Sequence, residues 1–85
     1  MKYTLIYTQR AERDIAGLDS KTKERIGKAL LRFKEEPLRY AEKLSDPVLS
    51  TYRFRIGDYR VIFDLEGNEI VVLRVGHRRE IYSRR

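Results

Sequence analysis

Thr51-Tyr-Arg-Phe-Arg-Ile-Gly-Asp-Tyr-Arg-Val-Ile-Phe-Asp64 decides the fold of this 85-residue chain. On either side of Gly57-Asp58 the residues alternate at period two, which predicts an antiparallel hairpin. A two-residue turn with glycine first suits the type II′ geometry. That turn sets Ile56 opposite Tyr59, Arg55 opposite Arg60, Phe54 opposite Val61, Arg53 opposite Ile62 and Tyr52 opposite Phe63. One face is then apolar, formed by Tyr52, Phe54, Ile56, Tyr59, Val61 and Phe63. The other carries Arg53, Arg55 and Arg60, with two like charges directly opposed, an arrangement that destabilises a sheet. An anion on that face would relieve the repulsion.

Working outward, Lys2–Tyr7 is rich in β-branched and aromatic residues and predicts a first strand. Thr8 can cap a helix over residues 9–18, in which Ala11, Ile15 and Leu18 share a face. Asp19-Ser20 offers a second N-cap, for a helix from Lys21 to Glu35 whose apolar stripe is Ile26, Ala29, Leu30 and Phe33. Pro37 ends it, because a residue before proline is pushed out of helical geometry. The helical charges, including Lys21, Lys23, Lys28 and Lys34, alternate with acids and read as a solvated surface. Residues 37–50 form a connector, with Leu38, Leu44 and Leu49 tucked beneath it.

Glu66-Gly67-Asn68 marks a second turn, into the strand Ile70–Gly76. A two-residue loop at Gly67-Asn68 pairs Val61 with Arg74 and puts an unpaired charge in the core, at a cost of several kcal/mol. A three-residue loop pairs Val61 with Leu73 and Arg60 with Arg74 instead. The expectation is the latter: Val71, Leu73 and Val75 buried, Arg74 on the arginine face, and Arg78 on that face by continued parity. The fold class is therefore α+β, a single domain over residues 1–85 in the order β-α-α-β-β-β. Two helices cover one face of an antiparallel sheet and leave an open basic face.

Composition narrows the function. The formal charge of +6 and pI near 9.8 favour a polyanion or an acidic protein as partner. Up to Asp46 the basic residues are six Lys and five Arg; from Pro47 onward they are eight Arg and no Lys. Arginine's planar fork grips phosphate bidentately, so the shift favours phosphate recognition. No cysteine is present, which removes disulfide scaffolds, zinc ribbons and thiol catalysis. No run approaches a membrane span and the N-terminus has no signal-peptide pattern, so the expected location is cytoplasmic, without membrane contact.

Guanidiniums converging on one surface, with Tyr82 to stack on a base, make a single-strand RNA site. Such a site can also cut. Attack of a 2′-hydroxyl on its adjacent phosphate builds charge on the phosphoryl oxygens, which fixed guanidiniums stabilise. An arginine is always protonated and cannot readily act as base. Tyr82 loses its proton more easily amid positive charges. His77, the only histidine, has a suitable intrinsic pKa but falls by parity on the core side or at the sheet edge, where a lone histidine is more often structural.

Tyr52-Arg-Phe-Arg-Ile-Gly-Asp-Tyr-Arg-Val-Ile-Phe63 followed by Val72-Leu-Arg-Val-Gly-His-Arg-Arg-Glu-Ile-Tyr82 resembles the signature of the RelE/ParE superfamily of type II toxin–antitoxin toxins. The resemblance implies a cognate acidic antitoxin that wraps the toxin, with DNA reached through that complex. On the RelE side it implies a ribosome-dependent endoribonuclease that cleaves mRNA in the A site without metal or other cofactor. Functional positions then fall on Arg53, Arg55, Arg60, Arg78 and Tyr82, with Arg74 a further phosphate contact and His77 a possible participant. The best-known RelE has lysines where this chain has Arg53 and Arg55, which leaves the general base unassigned. ParE-like members share the fold and poison DNA gyrase. A non-catalytic nucleic-acid-binding module is the third reading, against which the combination of Tyr82 with the arginines counts.

Overall fold

Alternation and turn chemistry carry the observed topology. The computed structural model describes residues 3–43 and 51–81. Strand β1 (Thr4–Tyr7) leads into helix α1 (Gln9–Ala16) and helix α2 (Ser20–Phe33). A single-turn helix α3 (Pro37–Tyr40) and a two-residue strand β2 (Glu42–Lys43) follow. Three longer strands complete the sheet: β3 (Thr51–Ile56), β4 (Tyr59–Glu66) and β5 (Glu69–His77). The sheet order is β1-β5-β4-β3-β2. Strands β2 to β5 are antiparallel, while β1 lies parallel to β5, so the α+β sheet is mixed. A parallel neighbour requires a long crossover, and here the whole helical hairpin and most of the sheet intervene.

The helices begin where capping residues allow. Thr8 accepts a hydrogen bond from the Ala11 amide at 3.1 Å, and the Asp19 carboxylate accepts from the Thr22 amide at 3.2 Å. Helix α1 stops at Ala16, two residues short of the sequence expectation, although Leu18 still packs against the core. Glu36, before Pro37, has left helical geometry at φ −147 and ψ 75, as expected, and Pro37 itself opens α3, since its missing N–H costs nothing in a first helical turn. Leu38, expected beneath the connector, is 58% exposed. Leu44 and Leu49 lie outside the described residues.

Ala11, Ile26, Leu30 and Phe33 from the helices meet Phe54, Ile56, Val61, Phe63, Ile70, Val72 and Val75 from one face of the sheet. Aromatic rings run through this core: Phe33 lies 4.7 Å from Phe54, which stacks on Phe63 at 4.3 Å. Such pairs contribute about 0.5–1.5 kcal/mol beyond the area they bury.

The β3–β4 register has every pair expected from the sequence, and Gly57 takes φ +59 in the turn. The β4–β5 register departs from expectation. The loop is two residues, Gly67-Asn68, with Glu66 opposite Glu69 and Gly67 at φ +61. Uninterrupted, this register would set Arg74 opposite Val61. A β-bulge intervenes: Phe63 pairs with Val72 and Ile62 with Arg74, leaving Leu73 as the extra residue. The buried residues are thus Ile70, Val72 and Val75, not Val71 and Leu73, and Arg60 faces Gly76 rather than Arg74.

Candidate functional site

Arg53, Arg55 and Arg60 share the sheet face turned away from the helices, because each alternates with a buried core residue. Arg74 joins them by register, opposite Ile62. The charges are not left to repel. Glu42 on β2, opposite Arg53, takes both β3 arginines: Arg53 Nε lies 2.8 Å from one carboxylate oxygen and an Arg55 terminal nitrogen 3.3 Å from the other. Those two hydrogen bonds hold the Glu42 carboxyl below its ordinary pKa.

Arg60, opposite Arg55 as expected, is only 7% exposed. Its guanidinium folds back to donate to the carbonyls of Gly57 and Tyr59, both at 2.9 Å. The repulsion that the sequence pattern suggested is therefore met within the protein, by a carboxylate and by turn carbonyls.

Arg74 reaches around the edge of β5 to helix α1, where its Nε donates to Asp14 at 2.8 Å. Asp14 also accepts the Val75 amide at 3.0 Å. Strand β1 pairs with β5 only as far as Val72, so α1 supplies the acceptor for the strand edge beyond. Burial pushes the Asp14 carboxyl up, but the Val75 amide, Arg74 and Arg10 outweigh it and hold the pKa below the usual aspartate value.

Arg78 does not continue the sheet. Strand β5 ends at His77, and the Arg78 amide donates to the Asp58 carbonyl at 2.7 Å, with its Nε 3.6 Å from the Asp58 carboxylate. Arg78 thus stands beside the β3–β4 turn, near where Arg60 is anchored. His77 lies opposite Tyr59 on the helix-facing side, as parity suggested, and meets that ring edge-on at 5.5 Å. Its Nδ1 accepts the Arg79 amide at 3.2 Å. The segment after His77 is pinned by Ile81, which is buried and packs against Gly76, the residue opposite Arg60. Tyr82 lies outside the described residues.

Sequence reasoning missed Glu42 and Asp14. Glu42 sat in a stretch read as connector, and β2 is too short to show alternation. Asp14 interrupts the apolar side of α1 between Ala11 and Ile15, the one available signal that this helix face meets a charge.

A helical hairpin laid on one face of a five-stranded mixed sheet is an arrangement this chain shares with solved toxin–antitoxin structures. Over 91% of its length this chain superposes on 99% of a chain in the toxin–antitoxin complex RelBE2 of Mycobacterium tuberculosis, with a TM-score of 0.84 and 28% identity. The intact Escherichia coli RelBE complex contains the same fold: TM-score 0.76, 22% identity, 98% of this chain and 99% of that one. In sequence, Toxin RelG of M. tuberculosis (strain ATCC 25618 / H37Rv) is 36% identical over 91 residues, spanning 99% of this chain and the whole of that relative. The family described as ParE toxin of type II toxin-antitoxin system, parDE, matches residues 5–82. The chain belongs to the RelE/ParE superfamily of type II toxins.

Proposed function

We propose that this toxin is a RelE-like endoribonuclease that acts in the cytoplasm on mRNA in the ribosomal A site, and that residues 1–85 form one toxin domain. The observation that carries the reading is the grouping of Arg53, Arg55 and Arg60 on the helix-free face, with Arg78 beside the turn that anchors Arg60. The relatives named RelG and RelBE2 support it.

On this reading Arg53, Arg55 and Arg74 hold the RNA backbone. Arg60 and Arg78 stabilise the charge that builds on the phosphoryl oxygens as the 2′-hydroxyl attacks. Tyr82 stacks on a base or takes a proton, and His77, whose Nδ1 is already occupied by an amide, is left to shape the turn. Before RNA enters, Glu42 occupies the forks of Arg53 and Arg55, so a phosphate replaces a carboxylate of similar geometry. The partner that silences the toxin is a cognate acidic antitoxin, in keeping with the RelBE2 and RelBE complexes.

The test is cleavage of a translated mRNA in a purified translation system, read by primer extension. Arg78→Ala and Tyr82→Phe are expected to abolish cleavage while keeping the thermal melt of the parent. Full cleavage by the double variant would sink the reading. A second reading, gyrase inhibition, is favoured by the ParE description of the matching family. It wins if the protein blocks supercoiling by purified gyrase and leaves translated mRNA intact. Salt-dependent RNA binding with neither activity would identify a non-catalytic binding module.

A further inference from the structure

Helix α2 carries a second group of cations that belongs to none of the positions above. Arg25, Lys28 and Arg32 follow one another at i, i+3 and i+7 and so share a helix face. With Arg55 from β3 they line a groove of about 380 Å³ that also takes in Ala29 and Ile56. The groove lies between α2 and the β3–β4 turn.

Apart from Arg55, which Glu42 holds at 3.3 Å, its charges are poorly compensated. Lys28 has Glu24 at 3.4 Å, but both side chains are largely exposed and such a pair is worth little. Arg32 lies 5.4 Å from the Phe33 ring centroid and 5.9 Å from that of Tyr40, which orients its guanidinium without neutralising it. Among the described residues Arg25 has no hydrogen-bond or ion-pair partner, and it rests against Gly57, where a Cβ would collide with its guanidinium. Gly57 therefore serves the turn through its positive φ and also leaves room for Arg25 to approach.

We propose that this groove binds the phosphodiester backbone of a single RNA strand, as a site that shares only Arg55 with the helix-free face. Three features favour RNA over an acidic polypeptide. Three of the four cations are arginines, whose forks match phosphate. Apolar side chains, among them Ala29, lie between the cations, as suits a sugar or base edge lying between phosphates. Arg55 lines the groove and also belongs to the helix-free face, so one strand can run from α2 to Arg53 and Arg55 without leaving basic surface. The helical charges are thus more than a solvated surface at Arg25, Lys28 and Arg32. The proposal does not require cleavage, and its test reads binding alone.

Fluorescence anisotropy with a labelled unstructured 20-mer RNA, titrated across salt, measures the contacts, because each phosphate contact adds about 0.7 to the slope of log affinity against log salt. Arg25→Gln/Arg32→Gln is expected to reduce that slope by about 1.4 and to weaken binding roughly 25-fold at 0.1 M salt. The charge-matched Lys21→Gln/Lys23→Gln, outside the groove, is expected to change affinity less than about threefold. Equal losses in the two variants, or no loss in either, overturn the proposal. A poly-glutamate peptide is titrated in parallel. If it binds the parent as tightly as the RNA and alone responds to the arginine variant, the groove is an acidic-peptide site and the proposal fails. Should the double variant melt low, Arg25→Gln alone decides, with half the slope change expected and none overturning the idea.

Discussion

Asp14 and Arg74 meet at 2.8 Å although 60 residues of chain separate them, and the same carboxylate takes the Val75 amide at 3.0 Å. One acid thereby fixes Arg74 and closes the free edge of the strand that carries it. The side chains are 14% and 35% exposed respectively, so the pair is partly screened. Asp14→Ala is expected to lower stability by about 2 kcal/mol in urea unfolding, the scale of losing charge-assisted hydrogen bonds. Asp14→Asn, which keeps an acceptor for Val75, should lose less. Equal stability of Asp14→Ala and the parent would show that the contact contributes nothing.

Acid should unfold the protein through the same group. The folded-state pKa values of Asp14, Asp19 and Glu42 are all lowered. Groups of this kind contribute stability that is present above their unfolded values, near 4, and is lost as pH falls through the folded values. Urea midpoints are expected to stay level from pH 7 to about 5 and then to fall, with a shallower fall for Asp14→Asn. A midpoint that rises on acidification contradicts the assignment.

At alkaline pH the sign reverses at Tyr7, whose pKa burial raises. Its contribution is full below the unfolded value, near 10, and is lost as pH rises through the folded one. Tyr7→Phe should flatten the alkaline end of the stability profile, provided that melts are compared above pH 9. An unchanged alkaline limb would remove Tyr7 from the account.

Thr8 has two tasks. Its hydroxyl accepts the Ala11 amide and donates to the carbonyl of Leu73, the bulged residue, at 3.2 Å. Thr8→Val retains the shape and loses both bonds, for an expected cost of about 1–2 kcal/mol. Thr8→Ser should retain most of the stability. Equal melting of the valine and serine variants would show that shape alone matters at this position.

Deleting Leu73 should be tolerated, because it removes only the residue that has no partner on β4: Val72 stays opposite Phe63, Arg74 opposite Ile62 and Val75 opposite Val61. The expected cost is that of losing the Thr8 bond to the Leu73 carbonyl, about 1 kcal/mol. The deletion variant is expected to keep a cooperative thermal melt. Loss of cooperative unfolding would disprove the bulge register.

The hairpin was legible because its signals agree: strict alternation, a glycine-first turn and one wholly apolar face. The helices were legible from Thr8 and Asp19 with the stripe through Ile26, Leu30 and Phe33. The partner of β1 was not, since a parallel pairing is set by the path of the whole chain and leaves no mark in four residues. The bulge at Leu73 was hidden for a different reason. Keeping the Arg74 charge out of the core favoured a longer loop, and the hydroxyl that satisfies the bulge lies 65 residues earlier. The facing of Arg53, Arg55 and Arg60 followed from alternation, but their counter-charges did not. Glu42 and Asp14 come from elements whose position against β3 and β5 depends on the completed sheet.

The extra residue at Leu73 also works as an expansion joint. Upstream, Glu69–Val72 is keyed to Thr4–Tyr7; downstream, Arg74–His77 is keyed to the arginine hairpin. A two-residue loop with the joint and a three-residue loop without it aim Arg74 at the same side of the sheet. The turn at Gly67-Asn68 can therefore gain a residue that the joint gives back, and the arginine side is insulated from length changes at the far end of its own strand.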